Sequence, residues 1–506
     1  MPNTTRRRLL AAGLALPLLD RAALARTPGT LLFGLSSFPP NIAPWDNTGT
    51  AALSVKYQIY RGLLSYDAKG NLRGELASSW KSDGAAGWLI TLRDATFHNG
   101  APVTADDVKW TLESVAGEKS TAYLRSEFQA VARIDTPDAK TVHIVMRQPN
   151  AVLPQLLASP HLPIIARGTV GPGQTPVGAG PYVLKAQERG VSIDLAAFDK
   201  YYKPGLPRTK ALRFVAYADE NLRVAAIEAG DVDIIEYVPW QSMQAIAANP
   251  RLKLLTVDGP FMALSFNGTS GPFKSALVRQ AVAFAVKRED IVQAAFYGRG
   301  TALGGLPIPT ASPFYDAKLA HGWTYDPAHA KALLAQAGLP GGFATTLLAT
   351  AQYGMHKATA EVVQQNLAAI GIEVKLNLPD WATRIALGNR GQYAFCVQGT
   401  SADNNDPDGL ASVVDGSLPP NNARSVGLPT PEIHALFAQG RAEFDLAKRR
   451  AIYAKLQRLA LLQCPLVGLA WRAQGYAMGH NVTGFQELPG ALNFYSCLTL
   501  EDTAVG

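Results

Sequence analysis

The stretch that decides the fold runs from Glu75 to Val115 and reads ELASSWKSDGAAGWLITLRDATFHNGAPVTADDVKWTLESV. Within it, the apolar residues Trp88, Ile90 and Leu92 alternate with other residues, as they do in a strand that buries one face. The stretch carries no arrangement of side chains that could perform catalysis. We therefore interpret it as scaffold rather than as a binding site.

A turn and a helix are expected after that strand. Asn99 and Gly100 both tolerate a positive φ and predict the turn. Thr104 stands where an N-cap is expected, and Asp107, three residues later, completes a capping box with Asp in place of the usual Glu. Apolar residues then recur at helical spacing, which predicts a helix with one apolar face: Val108, Leu112 and Val115.

The N-terminus has the features of an export signal. Arginines at positions 6–8 precede a short apolar run that ends at Leu19, and residues 23–25 offer a small-residue cleavage site. The run is shorter than the roughly 20 residues that a spanning helix needs. The paired arginines favour the twin-arginine route, with an ordinary secretory signal as the alternative. The sequence thus predicts an exported, soluble protein of the periplasm that begins near residue 26.

Length and composition limit the remaining possibilities. A chain of 506 residues is too long for one hydrophobic core even without its first 25, which indicates two or three domains. Lys and Arg number 47 against 40 Asp and Glu, and they form no basic runs, so no nucleic-acid partner is expected. Cys396, Cys464 and Cys497 lack metal-site spacing, and both a long-range disulfide and simple burial stay open.

Strand and helix patterns alternate along the rest of the chain. Gly371 ends one helical pattern, and a period-two pattern at Ile372 and Val374 follows as a strand. Another helix is predicted with an inward face made of three residues: Leu222, Ala226 and Ala229. Alternation of this kind predicts an α/β fold with mixed sheets.

Several motifs, taken in chain order, resemble those of the family 5 extracellular solute-binding proteins, which are the peptide- and nickel-type receptors of ABC importers. A set of independent motifs in one order is more specific than any single one. The motifs are the opening stretch at 75–115 and those at 176–182 (PVGAGPY), 198–207 (FDKYYKPGLP), 225–233, 278–292 and 325–338.

The resemblance implies an α/β fold of the bilobal type II periplasmic-binding-protein (flytrap) architecture, with mixed sheets and an additional α/β domain on the first lobe. Two crossing strands near Gly259 and Ala473 would form the hinge between the lobes. The implied divisions are an export signal at 1–25, a first lobe at 26–71, 176–258 and 474–506, the additional domain at 72–175, and a second lobe at 259–473.

A catalytic function finds no support in the motifs. The chain contains no Gly-x-Ser-x-Gly elbow, no His-Glu-x-x-His helix and no phosphate-binding Gly-x-x-x-x-Gly-Lys loop. His321, His329 and His356 are too scattered to predict a metal cluster. The sequence therefore predicts a binding protein without a cofactor or metal. An exported α/β hydrolase is the alternative from another class, and it would need a nucleophile–base pair that the sequence does not show.

The segment 399–408, GTSADNNDPD, is the strongest candidate for ligand binding. It is dense in hydrogen-bond acceptors, although Asn and Asp also cap turns locally, so the residues alone leave both roles open. In the dipeptide-binding branch of the family, a matching aspartate holds the α-ammonium group of the peptide, and the resemblance gives that role to Asp403. Thr400 and Ser401, however, stand where the branch carries Trp.

The loop at 351–356 lacks the arginine that binds the peptide carboxylate in that branch, and Arg384 or Arg424 would have to replace it. The predicted ligand-binding residues are Asp403, Trp381, Phe38, Trp45, Asn267, Gly399 and Arg384. Buried aromatic residues dominate ordinary packing, so each aromatic one among them is equally well explained as part of the core.

The sequence thus predicts the periplasmic substrate-binding protein of an ABC importer. It would act as a monomer, capture a small solute between its lobes and deliver the solute to the transmembrane permease subunits. A short peptide is the favoured solute, and nickel or another metal chelate is the alternative within the same family.

Overall fold

The computed structural model of the protein describes residues 29–84, 86–171, 173–419 and 421–506. The predicted export signal lies outside the described residues. Among the helices that are described, none is both long enough and apolar enough to cross a membrane.

The described residues form strands and helices in alternation, as the sequence predicts. The strands are β1 Thr30–Leu35, β2 Leu64–Tyr66, β3 Leu72–Gly74, β4 Ala77–Asp83, β5 Gly87–Leu92, β6 Val131–Asp138, β7 Thr141–Met146, β8 Tyr182–Glu188, β9 Ser192–Ala197, β10 Ala211–Ala216, β11 Ile234–Glu236, β12 Leu252–Phe266, β13 Gly300–Ala302, β14 Phe343–Leu348, β15 Ile372–Asn377, β16 Phe395–Thr400, β17 Val467–Gly479, β18 Val482–Thr483 and β19 Ala504–Val505.

The helices are α1 Thr50–Ile59, α2 Ala105–Ala116, α3 Arg125–Phe128, α4 Leu153–Leu157, α5 Glu220–Ala229, α6 Met243–Ala248, α7 Ala276–Ala285, α8 Arg288–Phe296, α9 Ala317–Ala320, α10 Pro327–Gln336, α11 Gly354–Ala368, α12 Trp381–Asn389, α13 Ala411–Val414, α14 Pro431–Ala442 and α15 Leu446–Gln463. Four 3₁₀ segments join them, at Trp240–Ser242, Pro272–Lys274, Pro407–Leu410 and Gly490–Asp502.

One mixed sheet of eleven strands runs through the molecule. Its order is β15-β14-β16-β12-β17-β11-β1-β10-β9-β8, and β13 pairs with β17 beside this path. The two long antiparallel strands, β12 and β17, therefore join a group of strands from the second half of the chain to a group from the first half. Each group carries its own core, with Phe266 against Phe395 in one and Phe33 against Phe214 in the other.

The two long strands change register at the positions where the hinge is expected. Asp258 pairs with Ala473, and regular pairing resumes only at Phe261. Gly259 lies in this irregular stretch against the C-terminal segment, where an added Cβ would come within 1.8 Å of the Gly490 carbonyl oxygen. The backbones of β12 and of the C-terminal segment thus touch where no side chain fits.

The opening stretch folds as its pattern predicts. Strand β5 buries Trp88, Ile90 and Leu92 in a separate four-stranded sheet of order β4-β5-β7-β6. Helix α2 begins at the predicted N-cap, and the Thr104 and Asp107 side chains each accept a hydrogen bond from the other's backbone N–H. The predicted strand, capping box and apolar helix face are confirmed.

One predicted helix face is wrong. Helix α5 forms, but Leu222 is 63% exposed and Arg223 is buried in its place. The Arg223 guanidinium donates to the backbone oxygens of Tyr217 at 2.7 Å and Tyr237 at 2.9 Å. The carbonyl groups that need hydrogen-bond donors thus decide which face of α5 turns inward, and the spacing of apolar residues in the sequence gives no information about those groups.

All three cysteines are buried and free of disulfides.

Candidate ligand-binding site

Two buried arginines without acidic partners mark the candidate site. Arg384 lies in the first turn of α12 and Arg472 lies on β17, and both side chains are 0% exposed. In the part of the chain that the structure describes, no carboxylate lies within ion-pair distance of either guanidinium group. The buried Arg61, by contrast, has Glu501 at 2.9 Å. Buried charges are normally paired with acids or hydrogen-bonded to neutral groups, as Arg288 is to backbone carbonyl oxygens, and each guanidinium group here has a nitrogen that is satisfied in neither way.

Arg384 is held by neutral groups on the adjacent strand. The Asp380 side chain caps α12 by accepting from the Thr383 backbone N–H, which fixes the first turn that carries Arg384. The Arg384 Nη2 group donates to the Val397 carbonyl at 2.8 Å and to Gln398 Oε1 at 2.7 Å. Its Nε is buried and has no hydrogen-bond partner. One edge of the guanidinium fork is therefore unsatisfied.

Arg472 is surrounded by aromatic rings. Its guanidinium carbon lies 5.5 Å from the ring centroid of Tyr237, 5.9 Å from that of Trp240 and 5.6 Å from that of Phe494. Its Nη1 group donates to the Tyr237 hydroxyl at 2.9 Å and contacts Met355 Sδ at 3.0 Å. Its Nε is also buried without a partner. Rings stabilise a cation, but they do not neutralise it.

The backbone of Tyr237 is held in an uncommon conformation. Its φ of 55° lies in the left-handed region, which non-glycine residues rarely adopt. The bond from Arg223 to its carbonyl and the T-shaped contact of its ring with Trp240 fix it there. Such conformations persist where surrounding contacts impose them, and they cluster at functional sites.

His356 lies close enough to both arginines to be repelled by them when it is protonated. Its ring is 5.7 Å from that of Trp381, and its Nδ1 atom is buried without a hydrogen-bond partner. Burial first, and then repulsion by Arg384 and Arg472, hold the pKa of His356 well below its usual range, so the ring is neutral. A neutral ring can accept or donate a hydrogen bond, and it adds no charge to the site.

Strand β16 passes directly over this histidine. A Cβ added at Gly399 would lie 2.8 Å from His356 Nε2 and 3.2 Å from Met262 Sδ, which leaves no space for a side chain. We call the group formed by Arg384, Arg472, His356, Trp381, Tyr237 and Phe494 the arginine cluster. Its rings at Trp381, Tyr237 and Phe494 are partly exposed, and together with Tyr353 they form an aromatic rim.

Asp403 makes a different set of contacts. Its Oδ1 atom accepts a hydrogen bond from the Tyr123 hydroxyl at 2.8 Å, and its backbone oxygen accepts one from the Tyr495 hydroxyl at 3.1 Å. Asp406 and Asp408 in the same segment are bound to Arg449 and Arg441. The segment thus ties the second half of the chain to residues of the four-stranded-sheet region and of the C-terminus. A role for Asp403 in holding an ammonium group stays a prediction.

The burial of Asp403 leads to a test by pH. Burial raises the pKa of Asp403 to about 6, so the folded protein holds this proton more tightly than the unfolded chain, in which the pKa is about 3.9. Stability should therefore fall as pH rises from about 4 to about 6, and change little above that from this group. Asp403→Asn should lack this slope, so the wild-type-minus-variant difference in melting temperature should fall as pH rises from about 4 to about 6. Parallel curves for the two proteins would contradict the assignment.

The remaining predicted residues lie in local contacts. Trp45 donates through Nε1 to the Pro163 carbonyl at 3.2 Å and packs against Trp110, while Phe38 packs beside the core around Phe33. Asn267 follows β12 and donates to the Gly391 carbonyl at 2.8 Å. Of the seven predicted residues, the structure brings together three at the arginine cluster: Trp381, Arg384 and Gly399.

Arg472 and His356 are the residues that sequence reasoning missed. Arg472 lies one position before Ala473 and is the one charged residue of β17, and this isolated charge is the signal that the sequence offers. A shallow crevice lies on the opposite face of the same strand, lined by Trp471, Phe261 and Ile308 among others. Its described lining contains the acid Asp406 and no basic residue, so the positive charge that could anchor an acidic solute lies on the Arg472 face.

The described residues contain no group of three or more His, Cys, Asp or Glu side chains placed to hold a metal ion.

A mixed sheet shared by two cores, with an arginine cluster where β17 passes between them, defines a bilobal type II periplasmic binding protein. Comparison with known proteins identifies the family. The chain belongs to the bacterial extracellular solute-binding proteins, family 5, whose profile for the middle region matches residues 71–421.

Two kinds of relatives support this assignment. The glutathione-binding protein GsiB of Escherichia coli (strain K12) is 27% identical over 496 residues, which are 95% of this chain and 96% of that protein. The structure of the PBP AgaA in complex with agropinic acid from A. tumefacien R10 superposes with a TM-score of 0.89 at 40% identity, covering 94% of this chain and 99% of that one. The predicted family and fold class are confirmed.

A further structure is similar in fold alone. The dipeptide binding protein from pseudoalteromonas sp. SM9913 in complex with Met-Leu superposes with a TM-score of 0.85 at 22% identity. It covers 94% of this chain and 100% of that one.

Proposed function

We propose that this protein is the solute receptor of an ABC importer, and that Arg384 and Arg472 bind an acidic group of the solute. The observation that carries the proposal is the pair of fully buried guanidinium groups, each with an orphaned Nε and no described carboxylate partner. Burying a charge without a partner lowers the free energy of unfolding by roughly several kcal/mol. A carboxylate on the ligand would supply the missing partner, because the fork of a guanidinium group matches its two oxygens.

Other buried arginines have a different environment. The Arg288 guanidinium donates to the carbonyl oxygens of Leu303 at 2.8 Å, Gly468 at 2.9 Å and Trp323 at 3.1 Å, among others. Arg279 is likewise surrounded by carbonyl groups. These arginines satisfy backbone oxygens of the fold and are structural. Arg472 instead donates to a hydroxyl group and contacts a sulfur atom, and among the described residues it bonds no backbone carbonyl group. Arg384 bonds one carbonyl group, that of Val397, and the side chain of Gln398, and its Nε has no partner.

The position of the cluster fits a closing mechanism. Arg384 and His356 come from the part of the chain assigned to the second lobe, Tyr237 and Phe494 come from the first, and Arg472 stands beside the proposed hinge. A ligand that contacts all of them favours the closed state by its higher affinity for that state. The divisions at 72, 176, 259 and 474 are proposed as the domain boundaries on this basis.

If the two arginines bind an acidic group of the solute, the solute belongs to the small organic acids. Short peptides are one kind of such acid. The relatives fit that class, since GsiB is named for glutathione and the AgaA structure contains agropinic acid.

We also propose that the protein is exported to the periplasm through the signal at 1–25 and acts there as a monomer. It delivers the solute to the permease subunits and performs no catalytic step.

The proposal predicts the chemistry of the bound solute. Native mass spectrometry of the protein purified from its own periplasm should detect a small acid, which Arg384→Met should no longer retain. The control is Arg390→Met, because Arg390 is exposed at the end of the same helix and should keep the solute. A solute without an acidic group, or equal retention by wild type and Arg384→Met, would contradict the proposal.

A further inference from the structure

The segment 399–408 joins the arginine cluster to a second set of contacts. Its first residue, Gly399, lies against the cluster. Four positions later, Asp403 accepts hydrogen bonds from two tyrosine hydroxyl groups, one through its Oδ1 atom and one through its backbone oxygen. Tyr123 belongs to the proposed additional domain, and Tyr495 belongs to the proposed first lobe. One short segment of the second lobe thus meets the candidate ligand site at one end and both other parts of the molecule at Asp403.

Each of the two tyrosines is held in place by its own part of the chain. The ring of Tyr123 packs against that of His161, with 4.6 Å between the ring centroids. Tyr495 is 6% exposed, and its ring meets that of Tyr57 edge to face at 6.0 Å. Both hydroxyl groups are therefore positioned by contacts that do not involve Asp403. The Tyr123 bond is the stronger of the two, because an ionised carboxylate accepts a stronger hydrogen bond than a neutral carbonyl group does.

Two further contacts join the additional domain to the second lobe. The Ala151 backbone N–H donates to the Arg441 carbonyl at 2.7 Å, and the ring of Trp88 stacks on that of Phe444 at 6.5 Å. Among the described strands, those of the four-stranded sheet pair only with one another. The contacts between the additional domain and the second lobe can therefore break without disrupting a sheet.

We propose that Asp403, Tyr123 and Tyr495 form a latch that holds the closed state, so that the additional domain takes part in closure. The proposal rests on the proposed function for the closing movement and adds the contacts that keep the lobes shut. Rotation of the second lobe about the two crossing strands carries Asp403 away from both tyrosines, so the latch bonds exist in the closed state alone. Such bonds raise the ratio of closed to open molecules and slow the release of any solute, without a contact to the solute itself.

The rate of solute release tests the latch on the full mature protein. Protein purified from its own periplasm is diluted, and the loss of the solute-bound form is followed by native mass spectrometry. The double variant Tyr123→Phe/Tyr495→Phe should release the solute at least about tenfold faster than the wild type, because it lacks one bond to a charged group and one to a neutral group in the closed state. Tyr201→Phe is the matched control. Its hydroxyl group donates to Glu501 at 2.6 Å within the first lobe, so release should be unchanged.

Distances between two spin labels measure closure directly. Ser79→Cys and Lys331→Cys place the labels at exposed positions on β4 and α10, and the native cysteines are buried. Double electron–electron resonance is recorded on protein as purified and on protein refolded from urea without solute. In at least one of these preparations, the double variant should show more of the longer distance than the wild type and Tyr201→Phe do.

The outcomes separate the latch from the function on which it rests. Equal release by the wild type and the double variant, or release that Tyr201→Phe accelerates as much, would overturn the latch and leave the acid receptor in place. A solute without an acidic group would contradict the proposed function, while the release rates would still decide the latch. If the wild type carries no solute, the label distances decide, and equal distances in the wild type and the double variant would overturn the latch.

Discussion

Replacing Arg472 by methionine is expected to make the protein more stable while removing most of its affinity for the solute. Methionine is unbranched and of similar volume although shorter, and it removes a buried charge that the fold leaves unpaired among Tyr237, Trp240 and Phe494. Apolar replacements of buried ionic groups often stabilise a protein by about 1–4 kcal/mol. The lost bond to the Tyr237 hydroxyl costs about 1 kcal/mol, so a net gain of about 1–2 kcal/mol is expected.

Affinity should change in the opposite direction. Truncating one partner of a buried charge pair costs about 2–5 kcal/mol, which is at least about a thirtyfold rise in Kd. Thermal unfolding without ligand and calorimetric titration with ligand measure the two effects. A less stable Arg472→Met protein with unchanged affinity would show that the arginine serves the fold.

Arg288→Met is the matched control. Arg288 is also fully enclosed, and burial lowers its pKa to about 10, but its guanidinium satisfies several backbone carbonyl groups. Removing it leaves those oxygens without donors, at about 1–3 kcal/mol for each buried group left unsatisfied. This variant should therefore lose stability and keep its affinity at temperatures where it is folded. The opposite signs of the two stability changes separate a binding arginine from a structural one.

The second large effect is expected at Gly259. An alanine there would place its Cβ 1.8 Å from the oxygen and 2.3 Å from the carbon of the Gly490 carbonyl group. Both atoms belong to backbone, so relief requires β12 and the C-terminal segment to move apart by more than an ångström. Overpacking of this kind costs about 1–3 kcal/mol and sometimes more, and we expect about 3 kcal/mol because no flexible side chain can give way.

Moving β12 and the C-terminal segment apart should also disturb the closure of the two proposed lobes on the ligand. Gly490 belongs to the first lobe and packs closely against Asn405 of the second. We expect Gly259→Ala to show a lower melting temperature and a smaller ligand-induced decrease in radius of gyration in small-angle X-ray scattering. Gly341→Ala is the control, since an added Cβ there meets no atom within 4 Å. Equal behaviour of the two variants would rule out a tight pivot at Gly259.

Local features of the fold could be predicted from the sequence because they depend on neighbouring residues. The capping box at Thr104 and the alternation in β5 depend on residues a few positions apart, and both appear as expected. The outward turn of Leu222 could not be predicted, because Arg223 reaches carbonyl groups that the chain brings near only after folding.

The candidate site depends on contacts between distant residues. The local motif and the family resemblance both point to Asp403, yet its side chain bonds Tyr123, which is 280 residues away. In the sequence His356 is one of several scattered histidines, whereas folding brings it close to Arg384 and Arg472. The three residues lie on α11, α12 and β17, and no local pattern connects these elements.

A thermodynamic cycle between the ligand carboxylate and Arg472 tests the central claim most directly. The solute found by native mass spectrometry and its carboxamide would each be titrated calorimetrically into the wild-type protein and into Arg472→Met. If the arginine binds the carboxylate, amidation should weaken binding to the wild type at least about thirtyfold and binding to the variant by less than about threefold. An equal loss in both proteins would show that the acidic group is bound elsewhere and would contradict the assignment of the arginine cluster.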